Sequence, residues 1–529
     1  MTGVALTLIL AGIVVLAIVA KKLRLPYPVV FVVGGLIVAL IPGIPEVTLR
    51  PDLVFLLFLP PLIFGDGWTT DARAFWRFRN PILLLALGLV VVTSVAVALL
   101  THAMIGISLA LGFVLGGILS PTDAVATDAV AEEVGLPRTL ATIVSGESLV
   151  NDASGLVIYR FAVAAVMTGA FSFAAALGQF VFSVIGGIAI GVGGAWVIAK
   201  ASEAIRKAGL SDSLIAVSIS LVTPFALYVP ADALGASGVL AAMSGGIVMS
   251  RLSHRIFDVE ARLAAAEVWN LLFFIFNGAA FVLIGLQLRT IVRGFPPHEL
   301  PGLIGWSLAV AALLVVVRFA WCFLMIYVPP LLSPKLRPLG GPPPSWEGIF
   351  VLSYAGMRGI VSLAAALALP ETTASGVPFP ERPLILFVTF VVILVSLLVE
   401  ALTLPALIRH LGDALRPDVD AERHVRAAAL KTAAEAARAE LRTLEAEFAG
   451  TREWEIAGRL HSEYEFVTEA VVRVGDGEGG LDAVERRLRI AALNAERRAL
   501  GELRRAGEIP EDLFRDLTWN IDLTESRWS

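Results

Sequence analysis

The stretch SGESLVNDASG, residues 145–155, places polar side chains inside a segment that is otherwise apolar. With its flanks, LATIV and LVIYRFAVAAVMTG, the segment is long enough to cross a bilayer as one helix. On a helix, Ser148, Asn151 and Asp152 lie at positions i, i+3 and i+4 and share one face, with Glu147 beside it. A charged side chain at the bilayer centre costs about 2.5–3.5 kcal/mol on insertion scales. Glu147 and Asp152 therefore need a partner or a function.

Other apolar segments also carry polar or charged side chains: Pro121, Thr122 and Asp123 in SPTDAVAT, Arg318, and Arg358 in YAGMRGIVSL. These segments contain two arginines and three carboxylates (Asp123, Glu147 and Asp152), so one carboxylate cannot pair with an arginine. We expect Glu147 to form a buried ion pair that fixes helix packing. We expect Asp123 to pair with Arg358, which leaves Asp152 without an arginine of its own.

A buried carboxylate without an arginine can exchange protons near neutral pH, because burial disfavours its charged form. The same anion can accept a hard cation, and hard cations prefer oxygen ligands. The neighbourhood offers the Asp152 carboxylate, the Ser148 hydroxyl, backbone carbonyls near Thr122, and water. A proton and a sodium ion would compete for one anion, which is the chemistry of an antiporter. If Asp152 alone titrates, one charge carries either ion and the exchange is electroneutral.

The elements that must position these residues are membrane helices. The chain has 529 residues, of which 57% are hydrophobic and 16% charged, whereas soluble domains have roughly 45–50% apolar and about 25% charged residues. The apolar residues come in blocks of about 20, the length that crosses a hydrocarbon core. We predict an all-α membrane protein with about thirteen transmembrane helices between residues 3 and 408. The single cysteine, Cys322, excludes a disulfide framework, and no motif implies a cofactor or an enzyme.

Basic residues predict the orientation, because cytoplasmic loops carry an excess of Lys and Arg. One set of alternate loops holds Lys21, Lys22, Arg24, Arg73, Arg77, Arg79, Arg138, Lys200, Arg206, Lys207, Arg251, Arg255, Arg262, Lys335 and Arg337. The other set holds only Arg50, Arg289, Arg293 and Arg382. We therefore place the N-terminus outside and the C-terminus inside, in a bacterial plasma (inner) membrane.

Two predicted spans, 106–131 and 346–369, contain helix breakers. Pro121 interrupts the first, and Gly356 and Gly359 flank Arg358 in the second. Proline removes a backbone donor and glycine weakens a helix. The two spans are equivalent if the chain contains two six-helix repeats joined by a seventh span. Interrupted helices at matching positions of inverted repeats point to the binding site of a transporter.

The composition changes after residue 412, where Ala-, Glu- and Arg-rich sequence with helical periodicity begins, interrupted once by GDGEGG. We predict a transmembrane antiporter domain over residues 1–410 and a cytoplasmic helical domain over residues 413–529. Nothing in the second domain indicates catalysis. Its role in regulation, stability or assembly stays open at this level.

Three further polar residues have simpler interpretations. Arg160 lies eight residues after Asp152, about 12 Å along a helix, and we expect it to reach an interface. Asn277 is expected to hydrogen-bond between helices rather than to bind an ion. Glu400, in the last span, is interpreted as a charge at the cytoplasmic interface.

SPTDAVAT, GESLVNDASG, an arginine in the eleventh span and YAGMRGIVSL together resemble the monovalent cation–proton antiporter family, specifically its bacterial sodium–proton antiporters of the electroneutral "ND" type. The resemblance covers about residues 5–410. It implies that Asp152 binds the cation or the proton, and that Asn151 shapes the site without titrating. It also implies that Glu147 pairs with Arg318.

The resemblance further identifies Thr122 and Asp123 as the Thr-Asp pair of the first broken helix, and Arg358 as the glycine-flanked arginine of the second. Sodium would then contact Asp152, Ser148 and Thr122. This sequence has Ala124 where many members carry a proline. The implied fold is two inverted repeats forming a six-helix transport domain that moves against a dimerisation domain, in a homodimer.

Three alternatives remain open from the sequence. A potassium-selective or mixed exchanger would share every motif above, with Na⁺, Li⁺ or K⁺ as the substrate. A cation channel could use the same polar lining, but it would conduct without coupled proton movement. A hydrolase with Ser148 as nucleophile would need a histidine or lysine base, and no matching span offers one.

Overall fold

The structure is a computed structural model that describes residues 3–41, 56–123, 138–169, 173–332, 345–373, 376–447, 480–506, 517–518 and 521. In these ranges the protein is all-helical, apart from an isolated bridge between Thr372 and Pro378. The helices are α1 (Gly3–Leu23), α2 (Tyr27–Leu40), α3 (Leu59–Thr69), α4 (Ala72–Arg77), α5 (Arg79–Leu83), α6 (Val90–Ile105), α7 (Leu109–Leu119), α8 (Arg138–Thr168), α9 (Phe173–Lys207), α10 (Ser213–Ala233), α11 (Gly238–Ile256), α12 (Val259–Leu286), α13 (Leu288–Val292), α14 (Leu300–Leu332), α15 (Trp346–Tyr354), α16 (Ile360–Leu367), α17 (Arg382–Glu447) and α18 (Gly480–Arg505).

Seven helices of the described ranges are long and apolar enough to cross a membrane: Arg79–Ile105, Thr139–Thr168, Leu177–Lys207, Ser213–Ala233, Val259–Val292, Leu300–Val328 and Arg382–Leu411. Large apolar side chains such as Ile18, Ile185 and Leu214 point outward, which suits contact with acyl chains. The chain is therefore a multi-pass membrane protein. The count of thirteen spans stays a prediction, because residues 42–55 and 124–137 lie outside the described ranges.

Most helices between residues 3 and 411 pack as two bundles. The crossing bundle contains α6, α7, α8, α14, α15, α16 and the start of α17; the flanking bundle contains α1, α2, α3 and α9 to α12. Small residues allow close packing within the flanking bundle: a Cβ on Gly187 would lie 2.6 Å from the Ser237 carbonyl oxygen, so glycine lets α9 approach α11. The bundles meet where α8 faces α3 and α11, and where α12 faces α16.

Both predicted break points lie in the crossing bundle; the continuation of the first span, residues 124–137, lies outside the described ranges. Helix α7 ends at Leu119 and is followed by non-helical residues, while residues 355–359 separate α15 from α16. The Asp123 backbone N–H donates to the Met357 carbonyl across 2.7 Å. The two interrupted segments therefore cross, and their freed backbone groups are buried inside protein, as a membrane interior requires.

A π-helical turn over Leu84–Leu89, between α5 and α6, helps to position α8. Its unusual geometry exposes carbonyls to side chains: Ser154 on α8 donates to the Ala86 carbonyl at 2.5 Å, and the Trp321 ring N–H donates to the Leu84 carbonyl at 3.1 Å. Short π segments of this kind often occur near functional sites. Ser154 lies three residues after Asn151, so this contact anchors the polar face of α8.

The predicted change at residue 412 occurs inside one helix. Helix α17 runs from Arg382 to Glu447 without interruption, so the composition changes along α17 and not at a break. The chain nevertheless divides into two compact units, Met1–Leu415 and Arg416–Ser529, close to the predicted boundary. The GDGEGG segment that was expected to interrupt the second domain lies almost wholly outside the described residues.

Candidate functional site

Thr122 connects the first interrupted helix to α8 through both its side chain and its backbone. The Ser148 hydroxyl donates to the Thr122 carbonyl at 2.7 Å, and the Asn151 amide donates to the Thr122 hydroxyl oxygen at 2.7 Å. The Thr122 hydroxyl in turn donates to Glu147 at 3.3 Å. The side chains on one face of α8 therefore hold the interrupted segment in place.

Glu147 and Arg318 form a buried bidentate ion pair. Arg318 Nη1 donates to Glu147 Oε1 at 2.5 Å, and Nη2 donates to Oε2 at 2.8 Å; the arginine and glutamate side chains are 2% and 1% exposed. Arg318 also donates to the carbonyls of Leu352, Ser353 and Ala355, at 3.0 to 3.2 Å. These carbonyls end α15 and lack helical partners. One guanidinium thus neutralises Glu147 and caps a helix terminus.

Arg358 requires a correction to the expected pairing with Asp123. Its guanidinium donates to the Leu119 carbonyl at 3.3 Å and to the Gly356 carbonyl, and no ion pair joins it to Asp123 among the described side chains. Leu119 is the last residue of α7, so Arg358 stabilises the negative end of that helix. The acidic residue that lines the same cavity as Arg358 is Glu400, which is 5% exposed.

Glu400 was expected at the cytoplasmic interface, and that interpretation is wrong. The side chain is buried, and its Oε2 atom has no hydrogen-bond partner among the described residues. The sequence places Glu400 eight residues before the end of the predicted span, which hides how deeply α17 packs. If Glu400 is included among the intramembrane charges, Arg358 has an acidic residue close to it.

Asp123 instead lies at the amino end of α16. A Cβ on Gly359, the residue that precedes α16, would overlap the Asp123 carboxylate, so only glycine leaves this approach open. The amino end of a helix carries partial positive charge and stabilises a nearby anion. Asp123 and Arg358 therefore each balance a helix terminus created by the interruptions, and they do so at different helices.

Asp152 lies at a cavity between the two bundles. Its side chain is 9% exposed, and among the described residues its carboxylate makes no hydrogen bond and no ion pair. The cavity has a volume of about 30 Å³, the scale of a small ion or a water molecule. From the sequence-predicted set it brings together Thr122, Asp123, Ser148 and Asp152. Asn151 is buried beside the cavity, and its Oδ1 atom has no described partner.

The flanking bundle contributes residues that the sequence motifs did not indicate. Asp66 on α3 and Asn277 on α12 line the same cavity, and both Asp66 and Asp123 lie close enough to act electrostatically on Asp152. The sequence did contain an indication for Asp66, because this carboxylate stands at the end of an apolar segment. In the described residues, no three acidic, histidine or cysteine side chains group closely enough to hold a metal ion. An ion at this site would depend on hydroxyl, carbonyl, amide or water oxygens as well.

A second, larger cavity of about 470 Å³ extends along α8 from Ala153 to Arg160 and is also lined by residues of α9, α10 and α11. At its edge Arg160 on α8 donates to Asp232 on α10 at 2.9 Å, and their side chains are 55% and 46% exposed. This ion pair joins the crossing bundle to the flanking bundle. The expectation that Arg160 reaches an interface of the membrane stays a prediction.

Residues 5–410 match the family described as sodium/hydrogen exchanger, transmembrane. The chain is 35% identical over 448 residues to the sodium, potassium, lithium and rubidium/H⁺ antiporter of Bacillus pumilus, a match covering 80% of this chain and 65% of that protein. A Bacillus subtilis antiporter of the same name is 36% identical, over 72% of this chain and 58% of its own length. The chain thus spans less than two thirds of each Bacillus relative.

Other relatives match along nearly their full length. An uncharacterized Na⁺/H⁺ exchanger of Escherichia coli is 34% identical, and the match covers 95% of this chain and 94% of that protein. Among solved structures, the sodium proton antiporter MjNhaP1 from Methanocaldococcus jannaschii has a TM-score of 0.56 at 19% identity, covering 76% of this chain and 96% of that chain. At that identity the likeness shows the fold.

Proposed function

The chain belongs to the sodium/hydrogen exchanger family, and we propose that it is a secondary active antiporter that exchanges Na⁺ for H⁺ across the plasma membrane. The observation that carries the proposal is Asp152, a nearly buried carboxylate without an ion-pair partner among the described residues, in a cavity of ionic size. A proton and a cation compete for this carboxylate. Ser148, Thr122 and water complete the oxygen ligands of the cation, while Asn151 and Asp123 shape the site.

The proposal includes electroneutral exchange. Glu147 is neutralised by Arg318, and the neutral amide of Asn151 does not ionise. Asp123 lies at the amino end of α16. Asp152 alone then exchanges one proton for one monovalent cation. An imposed membrane potential should then drive no net exchange in proteoliposomes without a pH gradient.

Alternating access follows from the position of the site between two bundles. The crossing bundle holds Asp152, Thr122 and Asp123, and the flanking bundle closes the cavity with Asp66 and Asn277. Movement of one bundle against the other would open the cavity first to one side and then to the other. We place the N-terminus outside, residues 413–529 in the cytoplasm as a helical domain, and residues 1–410 in the membrane as one subunit of a homodimer.

The cation range is a second element of the proposal. The names of both Bacillus relatives include sodium, potassium, lithium and rubidium, so exchange of K⁺ or Li⁺ is the alternative to strict sodium selectivity. Adding Na⁺, K⁺ and Li⁺ in turn to vesicles that contain a pH-sensitive dye would separate these possibilities. A current without proton movement would indicate a channel instead.

The decisive test is Asp152→Asn, which keeps the shape of the side chain and removes the titrating anion. We expect exchange to be lost while the protein remains folded. Asp258→Asn is the matched control: Asp258 caps α12 through a 2.8 Å bond from the Ala261 N–H, and asparagine caps helices equally well. Normal exchange by the Asp152 variant would contradict the assignment.

A further inference from the structure

Ser362, on the second interrupted helix, is buried at the site without any partner among the described residues. Its side chain is 1% exposed, and its Oγ atom makes no hydrogen bond within the described part of the chain. It lines the 30 Å³ cavity together with Ser148 and Asp152. Burying a hydroxyl without a hydrogen-bond partner is unfavourable, so its presence at this position needs an explanation.

The usual partner of a helical serine is a backbone carbonyl three or four residues earlier. Other buried serines of this chain behave in that way: Ser94 donates to Val90 at 2.8 Å, and Ser353 donates to Ile349 at 2.7 Å. Ser362 is the third residue of α16, so the corresponding carbonyls belong to Arg358 and Gly359, which precede the helix. The interruption thus deprives Ser362 of its helical partner and leaves its oxygen available to the cavity.

We propose that Ser362 is a further oxygen ligand of the transported alkali cation, an inference that rests on the proposed function. Ser148 and Asp152 reach the cavity from α8, and Ser362 reaches it from α16. A cation bound by all three would contact both α8 and the second interrupted helix. When Asp152 is protonated, the cavity holds no alkali cation for Ser362 to coordinate. Ser362 therefore contributes to cation binding and not to proton binding.

The test compares Ser362→Ala with the wild-type protein in two measurements. In proteoliposomes at fixed pH, we expect KM for Na⁺ to rise about tenfold or more, since a hydrogen-bonding group lost from a charge weakens binding by that order. The change falls on KM rather than on the maximal rate. In detergent, the Tm without Na⁺ should stay unchanged or rise, because an unsatisfied group is removed, while the increase in Tm on adding Na⁺ should shrink.

Ser94→Ala is the matched control, because Ser94 is equally buried but has a backbone partner and lies in α6, outside the cavity lining. It should lower Tm and leave KM unchanged. Ser362→Thr, which keeps the hydroxyl, should restore KM to near the wild-type value. If Ser362→Ala does not fold, Ser362→Cys replaces it, because cysteine keeps the volume and its sulfur is a poor ligand for hard cations. KM for Na⁺ should then rise in the cysteine variant as well.

An unchanged KM and an unchanged Na⁺-induced increase in Tm for the Ser362 variants would overturn the inference. So would a lowered Tm without Na⁺ combined with a normal KM, which is the result for a purely structural serine. Failure of the proposed function looks different: the wild-type protein would then exchange no alkali cation, or the Asp152→Asn protein would exchange normally. The Na⁺-induced increase in Tm reports cation binding whether or not the protein exchanges ions. Its decrease in the Ser362 variants therefore tests the inference separately from the proposed function.

Discussion

Two arginine–carboxylate pairs of this protein have the same chemistry and opposite surroundings. Glu147 and Arg318 are almost fully buried within the crossing bundle, and Arg318 makes further bonds to three carbonyls at the end of α15. Arg160 and Asp232 make one bond of 2.9 Å, are about half exposed, and belong to different bundles. The first pair joins elements of one bundle, and the second joins the two bundles.

The difference in burial decides what each pair contributes. A buried charge is costly unless it is paired, so removing one partner leaves the other uncompensated. An exposed pair gains little, because water and salt screen the attraction and hydrate either partner left alone. The buried pair is therefore suited to hold the interrupted helices in a fixed arrangement. The exposed pair can form and separate at small cost.

The largest expected effect comes from breaking the buried pair. Glu147→Ala leaves Arg318 buried without its anion, and we expect the free energy of unfolding to fall by about 3–5 kcal/mol. Denaturant unfolding in detergent micelles measures the change, and Arg318→Ala should give a loss of similar size. A Glu147→Ala protein as stable as the wild type would show that the pair is not needed for the fold.

An intermediate effect is expected at Glu400. Glu400→Gln removes the buried carboxyl group near Arg358 while the shape is kept, and we expect a loss of about 1–3 kcal/mol in the free energy of unfolding. Glu267→Gln serves as control, because Glu267 is exposed on α12. A more stable Glu400→Gln protein would mean that Arg358 is sufficiently stabilised by the Leu119 and Gly356 carbonyls alone.

The smallest effect on stability is expected at the exposed pair. Arg160→Ala, Asp232→Ala and the double variant should each change the free energy of unfolding by less than about 1 kcal/mol. A double-mutant cycle isolates the pairwise contribution, which should weaken as the salt concentration rises. Because the pair joins the two bundles, exchange rates should respond more than stability does. A coupling energy above about 2 kcal/mol, beyond the range of exposed pairs, would contradict the comparison.

Much of the site could be predicted from residue types in apolar segments. A membrane interior makes charges expensive, so Glu147, Asp152 and Arg358 could be identified as residues with a partner or a function. The helix breakers around Pro121 and Gly359 likewise indicated interrupted helices. Helical spacing placed Ser148, Asn151 and Asp152 on one face of α8, and the structure directs that face toward Thr122.

Only the tertiary structure decided which groups meet. Counting charges predicts how many pairs are needed, but it does not identify partners. For that reason Asp123 was expected to pair with Arg358, and Glu400 was not expected beside Arg358. Asp66, Asn277 and Ser362 reach the cavity from helices far apart in the chain. Periodicity defines a face of one helix, whereas a binding cavity is formed where several faces converge, and their distances depend on how the whole bundle packs.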